Sequence, residues 1–314
     1  VLHMPTRSRK PAAAPSALRR AIAQRVADAH ETLAPGAITA MLFGSTVAGI
    51  ADDRSDIDMS IVFETIPAEA ELLSACERAG GGPWTWRNES ADDASFAVGF
   101  DLDGIEVQIA YTDRRILDAD LDTVLVAHDP TTLNHKIAEG LLKAEALLGA
   151  QRLANWRSRV GQFPPALGDA MMRHYLGEPT PWKWFTYLLH RDSALWCREM
   201  QVDACYRLFG TLAGLNRQYF TLYQFKRMHR FAEQLAIAPA KLADRVEMLL
   251  AAPLPEAFAL LYALEGEVLA LVAEHAPQID LTAVHERRTR WVVPTAAARA
   301  ASPRSAPTPT EDET

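Results

Sequence analysis

Two short apolar segments, each joined to a polar motif, constrain most strongly what this chain can fold into. The first is Ile38–Phe43, an apolar run that stops at Gly44-Ser45, as is typical of a buried strand that ends in a turn. The second is Asp56–Phe63, in which apolar and polar residues alternate. Alternation places the apolar side chains on one face of a strand and the polar ones on the other. The sequence therefore predicts two consecutive strands with polar groups at their ends.

These polar groups suit the binding of phosphate and of divalent metal ions. A strand that ends in Gly44-Ser45 and turns into a helix exposes backbone N–H groups and a hydroxyl to a phosphate, which a larger side chain at Gly44 would block. Asp56 and Asp58 lie two residues apart on one strand, so both carboxylates leave the same face, about 7 Å apart at Cα. Two such acids can bridge two Mg²⁺ ions. An ordinary turn is the alternative, but it leaves the charge of Asp58 in an apolar strand unexplained.

The rest of the first half alternates helical and strand patterns, which indicates an α/β domain over residues 17–121. The predicted elements are a helix over Ala17–Leu33, a helix over Pro67–Ala79, a short strand in which Trp84 and Trp86 alternate, and two strands, Phe96–Leu102 and Ile105–Tyr111, joined by an Asp103-Gly104 turn. Because side chains alternate along a strand, at most one of the two tryptophans faces a site on the sheet.

The second half predicts an all-α domain over residues 122–292. Its long segments with apolar residues at helical spacing are Thr132–Leu148, Gln151–Leu176, Trp182–Met200 and Pro255–His275. Residues 1–16 and 293–314 are rich in Pro, Ala and Ser and have few large apolar side chains. We expect both to be disordered tails, because they cannot offset the entropy of ordering.

Composition excludes several classes of function. The chain of 314 residues has 32 Lys and Arg against 40 Asp and Glu, a formal charge of −8, which argues against a protein that coats nucleic acid and favours a small or cationic partner. Its 3 cysteines are too few and too far apart for a disulfide scaffold or a cysteine zinc site. The 9 histidines show no spacing typical of a metal site. The cysteine pattern favours a reducing compartment, so we expect a cytoplasmic protein, and the sequence has no apolar run long enough for a membrane.

The chain resembles the nucleotidyltransferase superfamily, which includes DNA polymerase β and kanamycin nucleotidyltransferase. The family pattern is an apolar residue, Gly, Gly or Ser, a short spacer and then Asp-x-Asp, and Phe43-Gly44-Ser45 with Asp56-Ile57-Asp58 matches it. The resemblance implies a small mixed sheet with flanking helices, two divalent metal ions and a nucleoside triphosphate donor. In such a site Asp56 and Asp58 would hold Mg²⁺, and Gly44 and Ser45 would hold the triphosphate.

The family usually adds a third carboxylate on a later strand, and here the sequence departs from the pattern. Gln108 occupies the usual Asp position, whereas Glu106 lies two residues earlier and so on the same face. One interpretation is that Glu106 supplies the third carboxylate, which holds a metal ion or takes the proton of the acceptor hydroxyl. The other is that Gln108 marks weakened metal binding and that Glu106 is merely solvated at the end of the hairpin.

The helical half carries a looser resemblance. The stretch Ala213–Lys226 is similar to the Leu-Asn-Arg-x-Tyr…Lys stretch of bacterial nucleotidyltransferases with a helical C-terminal domain, and to some lincosamide-modifying enzymes in layout. Lys226 is therefore a candidate for neutralising the triphosphate, although a solvated lysine is an equal alternative. His190, Arg191 and Asp192 are weaker candidates of the same kind. An aromatic cluster suits core packing better than ring stacking; its members are Trp182, Trp184, Phe185, Tyr187 and Trp196.

The combined expectation is a Mg²⁺-dependent nucleotidyltransferase with Asp56, Asp58 and Glu106 as catalytic and metal-binding residues. It would move a nucleoside monophosphate from a triphosphate, with ATP as first choice, to a hydroxyl of a small molecule such as an antibiotic or a biosynthetic intermediate. The acceptor is expected between the two domains. Two alternatives remain open: an acceptor on a protein or tRNA, and a nucleotide-binding protein without turnover, which Gln108 suggests.

Overall fold

A mixed sheet and a set of helices make up two units of the chain. The computed structural model describes residues 13–88, 94–177, 182, 187–189, 191–223 and 225–290. The chain divides after Leu167 into an N-terminal unit and a C-terminal unit. The expected division lay after residue 121, so the sheet unit extends further along the chain than the fading of the strand pattern indicated.

The N-terminal unit is built on a six-stranded sheet within the described residues. Its elements are α1 (Ala13–Glu31), β1 (Thr39–Leu42), α2 (Gly44–Val47), β2 (Ile57–Phe63), α3 (Glu69–Arg78), β3 (Trp84–Arg87), β4 (Ser95–Leu102), β5 (Ile105–Asp113), α4 (Arg114–Leu125), α5 (Asn134–Lys143), β6 (Glu145–Ala146) and α6 (Ala150–Gly161). The strand order is β3-β4-β5-β2-β1-β6. β2 pairs with β5 in parallel and the other pairs are antiparallel, which confirms the α/β class with a mixed sheet.

One face of the sheet forms the main core of this unit. The alternating apolar residues of β2, including Ile57 and Ile61, are fully buried there. Ile22 and Val26 of α1 and Leu72 of α3 belong to the same cluster. The polar residues of β2 consequently lie on the opposite face, as the alternation predicted.

Helices α4, α5 and α6 cover part of the opposite face. α6 packs against β1, and α4 packs against β2 and β5. Gly140 of α5 lies against Phe43, since a Cβ there would be 3.3 Å from the ring. The sequence analysis did not predict α4, and it assigned α5 and α6 to the helical domain. The apolar sides of α5 and α6 pack instead in the unit that contains this sheet.

The hairpin between β4 and β5 has the predicted turn. Asp103 and Gly104 both have positive φ, 57° and 76°, which is the backbone of a type I′ turn. The register places Asp101 directly opposite Glu106. The Asp101 carboxylate accepts a hydrogen bond from the Gly104 N–H at 3.1 Å, so it caps its own turn.

The C-terminal unit is helical over the residues that the structure describes. Its helices are α7 (Pro165–Gly177, which begins just before the division), α8 (Ala194–Leu215), α9 (Met228–Ala232), α10 (Leu242–Ala251), α11 (Leu254–His275) and α12 (Thr282–Arg290). The segment Gln151–Leu176, expected to be helical, forms two helices. Pro164 and Pro165 interrupt it, because proline lacks the N–H that a helix interior needs and restricts the residue before it.

The structure tests part of the prediction that both ends of the chain are tails. α1 begins at Ala13, inside the expected tail 1–16, and the buried Ser16 and Arg19 show that this start packs against the unit. Residues 1–12 and the tail 293–314 lie outside the described residues. Among the helices that the structure describes, none combines the length and the apolar character needed to cross a membrane.

A buried hydrogen-bonded chain links the sheet to α1 and α3. His30 Nδ1 lies 2.7 Å from the Val26 carbonyl oxygen, and His30 Nε2 lies 2.8 Å from the Tyr111 hydroxyl. The Cys76 Sγ lies 3.5 Å from the same hydroxyl. These contacts fit a neutral imidazole that donates to Val26 and accepts from Tyr111. Burial lowers the pKa of His30 to about 4 from 6.5 and raises the pKa values of Cys76 and Tyr111.

We predict that His30 makes the stability of the protein depend on pH between 6.5 and 4. In this range the unfolded chain binds more protons than the folded one, so the contribution is complete above pH 6.5 and is lost as the pH falls to about 4. The free energy of unfolding should decrease by up to about 3 kcal/mol from this group. Urea denaturation across this range measures it, and His30→Gln should flatten the curve. The exposed-site variant His275→Gln is the control, and equal slopes for His30→Gln and the wild type would contradict the prediction.

Candidate active site

The turn after β1 brings the glycine-serine motif beside β2. Phe43 continues the pairing of the two strands by donating its N–H to the Asp58 carbonyl oxygen at 2.9 Å. The chain then turns at Gly44, which has a left-handed φ of 68°. Glycine adopts this conformation without the steric cost that other residues meet. α2 begins there, with Ser45 and Thr46 buried.

Gly44 is in direct contact with the side chain of Asp58. A Cβ at Gly44 would lie 2.1 Å from Asp58 Oδ2, closer than atoms can approach, and 3.2 Å from Asp58 Cγ, which is a tight contact. The two halves of the sequence motif therefore meet in space, and the carboxylate faces the turn. The requirement for glycine here is for room beside a carboxylate as well as for backbone conformation.

The loop between the two motif halves is held from α1. Arg19 donates from Nε to the Ser55 carbonyl oxygen at 2.9 Å, and Arg20 donates to the Thr46 carbonyl oxygen at 3.3 Å. Arg20 also pairs with Glu145 of β6 at 2.8 Å. Asp56 directly follows the anchored Ser55 and is partly buried. The position of Asp56 thus depends on contacts far away in sequence.

A row of four residues crosses the sheet at the level of Asp58. Asp58 of β2 pairs with Gln108 of β5, Gln108 pairs with Gly99 of β4, and Gly99 pairs with Trp86 of β3. Partners in register point to the same face. A Cβ at Gly99 would lie 2.1 Å from Trp86 Nε1, so the indole lies directly on the backbone of β4. From β2 to β3, this face of the sheet therefore presents a carboxylate, an amide and an indole in that order.

Glu106 lies on the same face, two residues nearer than Gln108 to the hairpin turn. It is exposed and accepts a hydrogen bond from Trp86 Nε1 at 2.8 Å. The direct partner of Asp58 across the strands is Gln108, not Glu106. The sequence analysis did not connect Trp86 with Glu106. Only the alternation of Trp84 and Trp86 hinted at it, and Trp84 indeed packs in the core, against Phe96 and Tyr111.

The three predicted acids do not close into one cluster. Within the described residues, one group of three His, Cys, Asp or Glu side chains has its ligand atoms within 4.8 Å of one another, and it is His229, Asp244 and Glu247. Asp56, Asp58 and Glu106 are therefore more widely spaced. The pair Asp56 and Asp58 flanks the first residue of β2, whereas Glu106 is held toward Trp86.

The candidates of the helical half belong to the C-terminal unit. Lys226, Arg191 and Asp192 are exposed there, and a role for Lys226 in triphosphate binding stays a prediction. Trp182 is buried and donates from Nε1 to Glu265 at 3.1 Å, a core role of the kind expected for the aromatic cluster. The side chains of Tyr187 and Trp196 are about half exposed. Trp184, Phe185 and His190 lie outside the described residues.

Comparison with known protein families and with curated proteins finds no match. No family model matches the chain, and no curated protein matches its sequence.

Comparison with solved structures finds similar chains at low sequence identity. A nucleotidyltransferase-like protein from Exiguobacterium sibiricum has 12% identity and a TM-score of 0.40, over 86% of this chain and 80% of that one. An RNA terminal U-transferase has 18% identity and a TM-score of 0.27, over 52% and 48% of the two chains. A poly(U) polymerase has 16% identity and a TM-score of 0.25, over 51% and 48%. The chain thus spans about half the length of the last two proteins, and its function has to be read from its own residues.

We predict that Gly44→Ala is much more destabilising than Gly49→Ala. Both glycines have a φ of 68°, but a Cβ at Gly49 meets nothing within 4 Å. Gly49→Ala should cost about 1 kcal/mol of the free energy of unfolding through backbone strain, and Gly44→Ala about 3 kcal/mol because of the added clash with Asp58. Urea denaturation measures both. In an Asp58→Ala background the cost of Gly44→Ala should fall to that of Gly49→Ala, and an unchanged cost would contradict the contact.

Proposed function

We propose that this chain is a Mg²⁺-dependent nucleotidyltransferase. It moves a nucleoside monophosphate from a nucleoside triphosphate, which we take to be ATP, to a hydroxyl of a small molecule and releases pyrophosphate. The contact between Gly44 and the Asp58 carboxylate is the observation that carries the proposal. It joins a turn suited to phosphate and an acid suited to a divalent ion at one point of the sheet.

Asp56 and Asp58 are the residues that would hold Mg²⁺. Carboxylate oxygens are ligands that Mg²⁺ prefers, and both acids are partly exposed at the start of β2. Bound there, the ion would neutralise phosphate charge and polarise the phosphorus that is attacked. In this proposal Gly44 and Ser45 contact the β- and γ-phosphates, because the glycine leaves their approach open.

Glu106 is the residue that we propose as general base. The acceptor oxygen forms a bond to the α-phosphorus, the bond from that phosphorus to the bridging oxygen of the β-phosphate breaks, and pyrophosphate leaves. The proton of the acceptor hydroxyl passes to the Glu106 carboxylate. Trp86 holds one oxygen of this carboxylate at 2.8 Å, which orients the other oxygen for the proton. This role agrees better with the hydrogen bond than that of a third metal ligand does.

The open part of the sheet face supports a small-molecule acceptor. Asp101 and Glu106 are exposed there, and Trp86 is 37% exposed. Acids next to an exposed indole suit a ring-bearing or cationic molecule, such as an antibiotic or a biosynthetic intermediate. The net charge of −8 disfavours a nucleic acid acceptor. We place the reaction in the cytoplasm, where the three cysteines, free and buried, stay reduced.

A second candidate is a nucleotide-binding protein without turnover. The neutral Gln108 stands beside Asp58 in the register, and this arrangement favours the candidate because a neutral amide contributes less to metal binding than a carboxylate. Such a protein would bind a triphosphate and transfer nothing.

We predict that Asp56→Asn and Asp58→Asn each lower transfer at least 100-fold, because each removes a charge needed for the metal ion. The assay incubates the protein with Mg²⁺, a small-molecule fraction of cell extract and each of four α-labelled triphosphates, and measures labelled product and pyrophosphate. Asp53→Asn is the matched control, since Asp53 is exposed in the same loop. Label on protein or RNA would refute the small-molecule acceptor, and triphosphate binding in calorimetry without any transfer would favour the second candidate.

We predict different effects for the two residues of β5. Glu106→Gln should lower the rate constant of transfer about 100-fold or more, as expected for a general base, with the affinity for the triphosphate unchanged. Gln108→Ala should affect transfer less than tenfold. Trp86→Phe keeps a ring but loses the hydrogen bond to Glu106, so it should lower the rate constant less than Glu106→Gln does. Normal transfer by Glu106→Gln would remove Glu106 from the catalytic residues.

A further inference from the structure

A group of three metal-ligand side chains lies in the C-terminal unit, outside the proposed active site. His229 belongs to α9, and Asp244 and Glu247 belong to α10. Residues three apart on a helix share one side of it, so both acids face His229. The His229 Nε2 lies 2.7 Å from Glu247 Oε1, and the His229 Nδ1 lies 3.7 Å from Asp244 Oδ1.

We propose that His229, Asp244 and Glu247 bind a Zn²⁺ ion. Their ligand atoms lie within 4.8 Å of one another, whereas ligands of a tetrahedral zinc site are about 3.4 Å apart for bonds of about 2.1 Å. All three side chains are partly or largely exposed, at 32%, 63% and 61%, so small rotations can close this difference. Imidazole nitrogen and carboxylate oxygen are both ligand types that zinc takes in proteins.

The two carboxylates of the group favour a cation at this position. Together these carboxylates carry two negative charges, which balance the two positive charges of Zn²⁺. With a neutral imidazole, the bound site would therefore have no net charge. The nearby Arg245 does not compete for these acids, because both its terminal nitrogens pair with Glu267 at 2.6 Å. The imidazole distinguishes this site from the proposed Mg²⁺ site, since nitrogen ligands select zinc and other first-row metals over Mg²⁺.

The site leaves room for a fourth ligand. A surface depression of about 260 Å³ is lined by His229 and Asp244 and also by Glu233 and Lys241. Three protein ligands and an open position are typical of zinc sites that bind water or a substrate group. The wide separation of His229 from the two acids in sequence explains why the scattered histidines gave no signal.

The test is a calorimetric titration with zinc chloride. The full chain is first freed of metals with a chelator. The wild type should bind one equivalent at this site, and His229→Gln and Asp244→Asn should each weaken that binding at least tenfold. Glu233→Gln, with the same loss of charge in the same depression, and His275→Gln are matched controls that should bind like the wild type. Co²⁺ should give the visible absorption of a tetrahedral site, which the His229→Gln variant loses.

The competing explanation is that the three side chains form only surface ion pairs. It predicts no zinc equivalent that depends on His229 and Asp244, and either absence of binding or equal binding by the variants and their controls would overturn the proposal. Because the residues are exposed, the variants should fold, and circular dichroism checks this. The result is independent of nucleotidyl transfer, since Asp58→Asn should leave zinc binding at this group unchanged.

Discussion

The contact of the Asp58 carboxylate with the backbone of Gly44 is the constraint on which the N-terminal unit is organised. It needs a strand that ends on a left-handed glycine, a second strand whose acid points away from the core, and a register that sets the two side by side. The antiparallel pairing of β1 with β2 supplies the register, and the buried alternate residues of β2 fix the direction of the acid. A shift of one residue would place Asp58 in the core. The same register therefore buries the apolar side chains of β2 and keeps Asp58 on the opposite face.

The register of the sheet also determines which residue of β5 lies beside Asp58. Parallel pairing of β2 with β5 puts the neutral Gln108 beside Asp58, and it leaves Glu106 two residues away, next to Trp86. The absence of a side chain at Gly99 lets the indole lie on β4 and reach this carboxylate. The position of the Glu106 carboxylate is therefore set by a hydrogen bond from an aromatic side chain.

Local patterns in the sequence predicted the elements that short-range physics determines. The alternation in β2 and the Asp103-Gly104 turn are of this kind, because side-chain period and turn conformation depend on neighbouring residues. The strand β6 has only two residues, too few for a pattern, and its partner is β1, about a hundred residues earlier. Likewise the apolar stripes of α5 and α6 predict helices but not the surface that they cover. The link from Trp86 to Glu106 and the group at His229 depend on tertiary packing, which one sequence does not display.

The two arginines of α1 give the N-terminal helix a part in the site that its distance in sequence conceals. Arg19 donates a hydrogen bond to the backbone carbonyl of Ser55, 36 residues away in sequence, and Arg20 donates one to that of Thr46, 26 residues away. The turn at Gly44 and the loop before Asp56 are consequently both held by α1, which also packs against the sheet. The pairing of β1 with β2 sets the register of the two motif halves, and α1 adds one arginine contact on each side of the loop that joins them. Local opening of the first helix would therefore release contacts to both motif halves at once.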